Sequence, residues 1–245
     1  AAPELPFRRC NSVLPVGGLV VDHTTPDLIG RLEDWYGELG QRVIVVISSA
    51  EPGADQLDRF LEARGYDHEA PVHVMTATIP SAAPSAVTAR RGELSTGPQA
   101  EAAHLPEVTV TDGIDEAWAR RYAVAHGGDR VARARTEAYG RMLVALGSAA
   151  LGASATIGGE AAGVGFGVVD SGWVGIFGMG TARDHRRRGV ASAIVGAILD
   201  RAARAGAEAA YLQVETDNHA AIELYRGLGF TVSHGYHYRV SAPQP

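Results

Sequence analysis

The 245-residue sequence predicts an α/β protein in two parts, and three observations carry that prediction. Amphipathic helical stretches alternate with short apolar runs over the first 78 residues. A second alternation, richer in strands, begins at Glu107. Between them Ile79–Pro106 is dominated by Pro, Ser, Ala and Gly and holds no apolar period, the composition of a linker. The chain is 46% hydrophobic and 20% charged, which excludes wholesale disorder and supplies enough apolar surface for a core.

In the first part, TTPDLIGRLEDWYGELG reads as a helix that starts at Thr25–Pro26 and stops at Gly40. Leu28, Ile29, Leu32, Trp35 and Tyr36 recur at helical spacing and are expected on its buried face. RVIVVI reads as a buried strand, ADQLDRFLEARG as a helix ending at Gly65, and APVHVMTA as a strand. In the second part, EVTVTDG precedes helical patterns at Asp115–Val124 and Val131–Leu146. ALGASATI and AAGVGFGVVD form an expected hairpin, and WVGIFGMGT a further strand. A long helix over Gly189–Ala205, the strand AAYLQVE, a helix over Asn218–Leu228 and the strands FTVSH and YHYRV complete the order.

Charge and cysteine usage narrow the function classes. The formal charge is -6, so nothing favours nucleic acid as a partner. All 22 basic residues are Arg, which points to genome composition before function. Cys10 is the only cysteine, which excludes an internal disulfide and a cysteine-only metal cluster, and no metal is expected. No apolar run reaches the roughly 18–20 residues that span a bilayer. AAPELPFRRC has no apolar core of the kind a secretory signal needs. A cytoplasmic protein that binds a small molecule is the expectation, compatible with a homo-oligomer.

The sharpest chemical feature is GMGTARDHRRRGVASAI, where an apolar strand gives way to a helix. The first turn of a helix presents unpaired N–H groups and a dipole that favours anions. Gly189 and Ala191 keep that surface shallow, and Arg186, Arg187 and Arg188 can add charge-assisted bonds to a phosphate. A solvated basic loop is the bland alternative. The stretch is not a P-loop, which requires GxxxxGK[ST]. AGVGFG is not a dinucleotide turn, because its glycines sit inside a strand pattern rather than opening a helix.

TARDHRRRGVA resembles the acyl-CoA pyrophosphate motif of the GNAT superfamily of N-acetyltransferases, with Arg186, Gly189 and Ala191 on its R-x-x-G-x-[G/A] pattern. The usual V-x-P lead-in is replaced by Thr181-Ala182-Arg183. The likeness extends from about Glu107 to Val240 and takes in ETDNHAAIELYRGLGF. It implies a complete C-terminal GNAT fold with a mixed central sheet over 107–245, a linker over 79–106, and a partial, degenerate GNAT-like α/β domain over 1–78. It also implies acetyl-CoA as the acyl donor. Met179, Gly180 and Thr181 then receive the pantetheine arm or acetyl carbonyl, Arg186, Arg187, Arg188, Gly189, Val190, Ala191 and Ser192 wrap the pyrophosphate, and Asn218 helps place the cofactor. Chain order and the opening Arg8-Arg9-Cys10-Asn11-Ser12-Val13-Leu14-Pro15 are similar to an actinobacterial GNAT family with an RRxNSVLP opening, some of whose relatives are described as N-acetylglutamate synthases.

The resemblance implies transfer of an acetyl group to the primary amine of a small substrate, an amino acid such as glutamate being one option. Tyr225 is then the general acid toward the leaving sulfur. Glu215, at the end of AAYLQVE, is the candidate base, with His234 and His237 as alternatives. Arg8, Arg9 and Asn11 are candidates for a substrate carboxylate, or else an Arg network that pins the N-terminus. Trp35 and Tyr36 read as core or interface anchors and His73 as a satisfied strand histidine. A non-catalytic acyl-CoA sensor and a protein or peptide N-acetyltransferase are the rival functions. One further pattern stands apart: shifted by 164 positions, Gly65–Tyr66 falls on Gly229–Phe230, His73 on His237 and Leu61 on Tyr225. The first copy lacks both the Arg loop and a transferable proton at Leu61.

Overall fold

Three glycines at alternate positions of one strand decide how the larger sheet is covered. They are Gly163, Gly165 and Gly167 of β5 (Glu160–Asp170), on one face because strand side chains alternate. A Cβ on Gly163 would lie 2.6 Å from Val190 Cγ1, one on Gly165 3.0 Å from Ile194 Cγ2, and one on Gly167 2.7 Å from Ile198 Cγ2. Those three side chains stand one turn apart on α4 (Val190–Arg204) and are all buried. The helix therefore seats an aliphatic ridge directly on bare backbone. The glycine run that superficially resembles a dinucleotide turn is a packing groove.

The computed structural model describes residues 8–17, 20–80, 105–126, 140, 143 and 146–243. Residues 81–104 of the expected linker, and most of the expected helix at Val131–Leu146, lie outside the described residues. The fold is α/β with a mixed sheet and flanking helices, as the sequence predicts. The chain divides into two units: Ala1–Met75 with Val214–His219 and Val232–Pro245, and Thr76–Gln213 with Ala220–Thr231.

The second unit holds the sheet just described. β3 (Glu107–Asp112), β4 (Ala150–Ile157), β5 and β6 (Trp173–Thr181) run antiparallel in sequence order, and β7 (Ala209–Glu215) joins β6 in parallel. α3 (Glu116–Ala125) starts at Asp115, whose side chain accepts the Trp118 amide as an N-cap. Trp118, 2% exposed, donates from Nε1 to the carbonyls of Ala153 and Gly165, both at 3.0 Å, and packs with Leu143, Val164 and Phe166. On α4, Arg201 reaches Asp112 of β3 at 2.6 Å.

In the first unit β8 (Thr231–Val240) lies between β1 (Ile44–Ser48) and β2 (Asp67–Thr78), pairing antiparallel with β1 from Ile44↔Val240 to Ser48↔Tyr236. FTVSH and YHYRV, expected as two strands, are one strand that passes through Gly235. α1 (Thr25–Glu38) buries Ile29 and Tyr36, with Leu32 packed on the same cluster, but leaves Leu28 and Trp35 exposed. The buried face is thus narrower than the apolar spacing predicts. α2 (Ala54–Ala63) contributes Leu57 and Leu61 to the core.

The repeat seen in the sequence recurs in the backbone. At the end of α2 the amides of Arg64, Gly65 and Tyr66 bond to Phe60 and Leu61, Glu62, and Leu61 respectively. At the end of α5 (His219–Gly227) the amides of Leu228, Gly229 and Phe230 bond to Leu224 and Tyr225, Arg226, and Tyr225. Gly65 and Gly229 both take positive φ, 85° and 91°, as this helix ending requires. Every bond maps onto its counterpart at the same offset.

A buried cation ties the first unit together. Arg239, 5% exposed, donates to Asp58 Oδ1 at 2.7 Å and Oδ2 at 3.1 Å, to Glu62 at 3.3 Å and to the Tyr66 carbonyl at 3.2 Å. These bonds, the Arg239 guanidinium foremost, lower the Asp58 carboxyl from 3.8 to about 2. A depressed pKa contributes stability above the unfolded value and loses it as pH falls through the folded one. Urea titrations are expected to show about 2 kcal/mol lost between roughly pH 5 and pH 2, and Asp58→Asn to flatten that slope. Gly163→Ala is expected to cost about 1–3 kcal/mol by calorimetry, because its Cβ meets β-branched Val190 and the Gly180 carbonyl at 2.8 Å.

Candidate active site

The site grows from an irregularity in β6. Val164 pairs with Gly180 but Phe166 with Phe177, so β6 carries one extra residue there, and Gly178 takes φ +60°. A bulge leaves backbone groups out of the ladder and re-aims the strand. On the other edge, pairing with β7 ends at Ile176↔Leu212. Phe177–Thr181 therefore extend beyond their parallel partner, which opens a notch beside the backbone of Met179, Gly180 and Thr181. The Met179 side chain fills the α4 side, where its sulfur would block a Cβ on Gly165.

After Thr181 the chain is anchored by Ala182 N–H to the Ala162 carbonyl at 2.9 Å, then makes a 3-10 turn, Arg183–His185. Arg187 has φ +59°, a strained value for a residue with a side chain, and Gly189 has φ +79°. Gly189 is the N-cap of α4 and no side chain caps that helix. A Cβ at Gly189 would meet nothing within 4 Å, so the surface in front of the helix is open. The first intrahelical bond is made by the Ala193 amide to Gly189, which leaves the amides of Val190, Ala191 and Ser192 facing that opening.

The three arginines of the loop differ. Arg188 donates to His185 Nδ1 at 3.2 Å; an arginine can only donate, so Nδ1 accepts and Nε2 carries the proton, 3.6 Å from Glu160. Arg186 and Arg187 are exposed and make no ion pair among the described residues. Open helix amides, a glycine cradle and two uncommitted guanidinium groups fit a pyrophosphate.

Tyr225 lies on α5, 8% exposed, edge-on to Phe230 with ring centroids 6.1 Å apart. Burial raises its hydroxyl pKa above the ordinary 10, so the phenol keeps its proton at neutral pH. β7 alternates as expected: Leu212 and Val214 are buried, Tyr211 and Gln213 half-buried, and Glu215 exposed at the strand end. The Asn218 amide closes a turn on the Glu215 carbonyl at 3.0 Å. His234 contacts Ser233, and His237 is held by Asp58 at 2.7 Å.

The N-terminal candidates are engaged in their own unit. Arg8 pairs with Glu69 at 2.6 Å, and Arg9 donates to the Tyr236 hydroxyl at 3.3 Å. Asn11 is buried, its amide bonded to the Arg8 carbonyl and its carbonyl accepting the Tyr36 hydroxyl at 2.7 Å.

His126 is the residue that sequence reasoning passes over. It follows α3, stacks on Tyr122 at 4.0 Å, and its Nδ1 lies 3.1 Å from the Tyr122 carbonyl. A carbonyl only accepts, so Nδ1 donates and Nε2 is the basic nitrogen. A Cβ on Gly180 would sit 2.5 Å from His126 Cε1, so the imidazole covers the strand at the notch itself. Tyr122 and His126 at i,i+4 share a helix face, which the sequence contains; their contact with Gly180 it does not.

No three His, Cys, Asp or Glu side chains among the described residues are grouped to hold a metal, and no described helix is long and apolar enough to cross a membrane.

Known proteins bear on this geometry. Over 73 residues the chain is 34% identical to the uncharacterized N-acetyltransferase YobR of Bacillus subtilis (strain 168), a stretch covering 30% of this chain and 29% of that relative. The chain therefore spans less than a third of that relative's length. A GCN5-related N-acetyltransferase from Kribbella flavida shares its fold at TM-score 0.63 and 16% identity, over 90% of this chain and 76% of that one. A functionally unknown conserved protein from Staphylococcus epidermidis does so at TM-score 0.70 and 9% identity, over 100% and 90%. The fold is that of the GNAT superfamily. Matched over residues 6–239 by its family model, the chain belongs to the probable histone acetyltransferase Rv0428c C-terminal family.

Proposed function

We propose that the protein transfers an acetyl group from acetyl-CoA to a primary amine. The observation that carries this reading is the uncapped start of α4, open at Gly189, set just after the bulged strand β6. Arg186, Arg187 and the amides of Val190, Ala191 and Ser192 would hold the pyrophosphate, with Arg188 steadied by His185. The backbone of Met179, Gly180 and Thr181 would receive the pantetheine arm and the acetyl carbonyl, and Asn218 would help place the cofactor. When bound, acetyl-CoA supplies a thioester carbonyl open to a neutral amine and a sulfur that leaves as thiolate.

The residues then divide the proton work. Tyr225, kept protonated by burial, holds the proton that a leaving sulfur requires. His126 Nε2 is the base in this proposal, because its tautomer is fixed and it stands at Gly180; Glu215 is the carboxylate alternative. Arg8, Arg9 and Asn11 stay candidates for a substrate carboxylate. The proposal also keeps a partial GNAT-like domain over 1–78, a linker over 79–106 and a catalytic domain over 107–245. The resemblance of the RRxNSVLP opening to a family with some relatives described as N-acetylglutamate synthases makes glutamate one acceptor to try, and the family's description makes a lysine peptide another.

A coupled turnover assay over glutamate and other amino acids, polyamines and lysine-bearing basic peptides tests the reading. Acetyl-CoA binding with no transfer to any of them would move the assignment to an acyl-CoA sensor. Tyr225→Phe is expected to leave acetyl-CoA binding intact and lower turnover roughly 10²-fold or more; unchanged turnover removes it as the acid. His126→Gln is expected to lower turnover roughly 10²-fold or more with acetyl-CoA binding intact, and unchanged turnover assigns the base elsewhere. Gly189→Ala is expected to cost about 1 kcal/mol in stability from its left-handed φ. Its Cβ meets no protein atom, so any acetyl-CoA affinity lost by calorimetry reports ligand in that space.

A further inference from the structure

The first unit contains a cavity of about 240 Å³ that the acetyl-transfer reading does not use. Its wall is built from the sequence repeat: Pro71, Val72 and His73 of β2, and their counterparts Gly235, Tyr236 and His237 of β8. His73 and His237, equivalent in the two copies, thus face one hollow. His73, which the sequence suggests is a satisfied strand histidine, is half-buried and makes no hydrogen bond among the described residues.

The chemistry of the lining selects a ligand. His237 Nε2 lies 2.7 Å from Asp58 Oδ1. Asp58 is ionised and can only accept, so Nε2 carries the hydrogen and Nδ1 is left as an acceptor. Burial lowers the His237 pKa despite the opposing effect of Asp58, so the ring is neutral at neutral pH. It stacks on His68, with centroids 4.1 Å apart. α2 adds Asp55, exposed, in its first turn and without an ion-pair partner among the described residues. Arg239, the cation bonded to Asp58, is already committed to Asp58, Glu62 and the Tyr66 carbonyl. The hollow therefore carries a carboxylate with no ion-pair partner among the described residues and imidazole acceptors, and no arginine is among its lining residues. Ile47, 5% exposed, supplies an apolar floor.

We propose that this cavity binds a compact aliphatic primary amine as its ammonium ion. Asp55 supplies the charge, His237 Nδ1 and His73 accept N–H bonds, and Ile47 takes the short apolar stem. The volume lies below the roughly 300–1,000 Å³ of drug-sized pockets, which limits the occupant to a few carbons. Two sources share this chemistry: the acetyl acceptor itself, or a second amine that regulates the protein. Only the first identification rests on the acetyl-transfer reading; binding does not.

The test uses the whole chain with imidazole nitrogens labelled. n-Propylamine, ethanolamine and 1,3-diaminopropane are titrated against n-propanol and propionate, following the His73 and His237 ring signals by NMR. Amines are expected to shift both rings, and the alcohol and acid neither. Asp55→Asn, an exposed helix-start substitution, is expected to weaken amine binding at least about fivefold with the melting temperature little changed. His237→Gln, which keeps an N–H for Asp58 but removes the acceptor nitrogen, is expected to weaken it as well. Equal response to alcohol and amine, no response up to roughly 10 mM amine, or full affinity in Asp55→Asn overturns the proposal. In turnover, a raised KM with unchanged kcat in Asp55→Asn identifies the acceptor's own pocket. Lost amine binding with unaltered kinetics identifies a regulatory site. Absence of any turnover in the wild type leaves the NMR result standing and defeats only the acetyl-transfer reading.

Discussion

The contact of α4 with the bare backbone of β5 is the constraint from which the larger unit follows. Val190, Ile194 and Ile198 are at most 2% exposed, and burial of each contributes about 1.5–3 kcal/mol. Because the glycines carry no side chain of their own and the Met179 sulfur takes the space over Gly165, the helix has one depth and one register. Its first turn is then fixed beside the end of β6, where Gly163 approaches both Val190 and the Gly180 carbonyl. The left-handed backbone at Arg187 costs of order 1–3 kcal/mol, a strain that this packing readily offsets. The rigidity of this open helix start comes from the far side of the helix.

The first unit reaches its rigidity by other means. Its organising group is the Arg239 guanidinium, surrounded by two carboxylates and a carbonyl in the space that β8 and α2 share. Asp58 answers both Arg239 and His237, so one carboxylate orders a buried cation and selects an imidazole tautomer together. The two helix endings offset by 164 positions share every backbone bond, yet Leu61 fills a core where Tyr225 keeps a phenol. The two endings thus share one backbone pattern and differ in side-chain chemistry.

Most of the elements are legible in the sequence because their signals are local. The Gly189 turn, the β7 alternation and the Gly65 and Gly229 endings are each written within a few residues. The loop of Arg186, Arg187 and Arg188 before that turn is legible for the same reason. Sequence and fold part where the deciding partner lies far along the chain. Leu28 and Trp35 match the helical period of α1 but face solvent, since the period cannot say how wide the covered face is. The single strand β8 reads as two because Gly235 resembles a break, whereas its backbone pairs with Ser49. His126 carries no local signal because the glycine it covers, Gly180, belongs to a strand made much later. His73 and His237 align in the sequence, but only the fold gives them a common hollow.

The order in which the chain visits its two units has a consequence for inheritance. It passes between them four times, leaving the first after Met75, returning at Val214, leaving after His219 and returning at Val232. β8, the middle strand of the first unit, is therefore encoded after every catalytic candidate of the second. No single recombination point separates the halves, and loss of the final strand would strip the N-terminal half of its centre. Both terminal segments belong to the first unit, so truncation from either end breaks that unit, and no single cut excises it without leaving Val214–His219 or β8 behind.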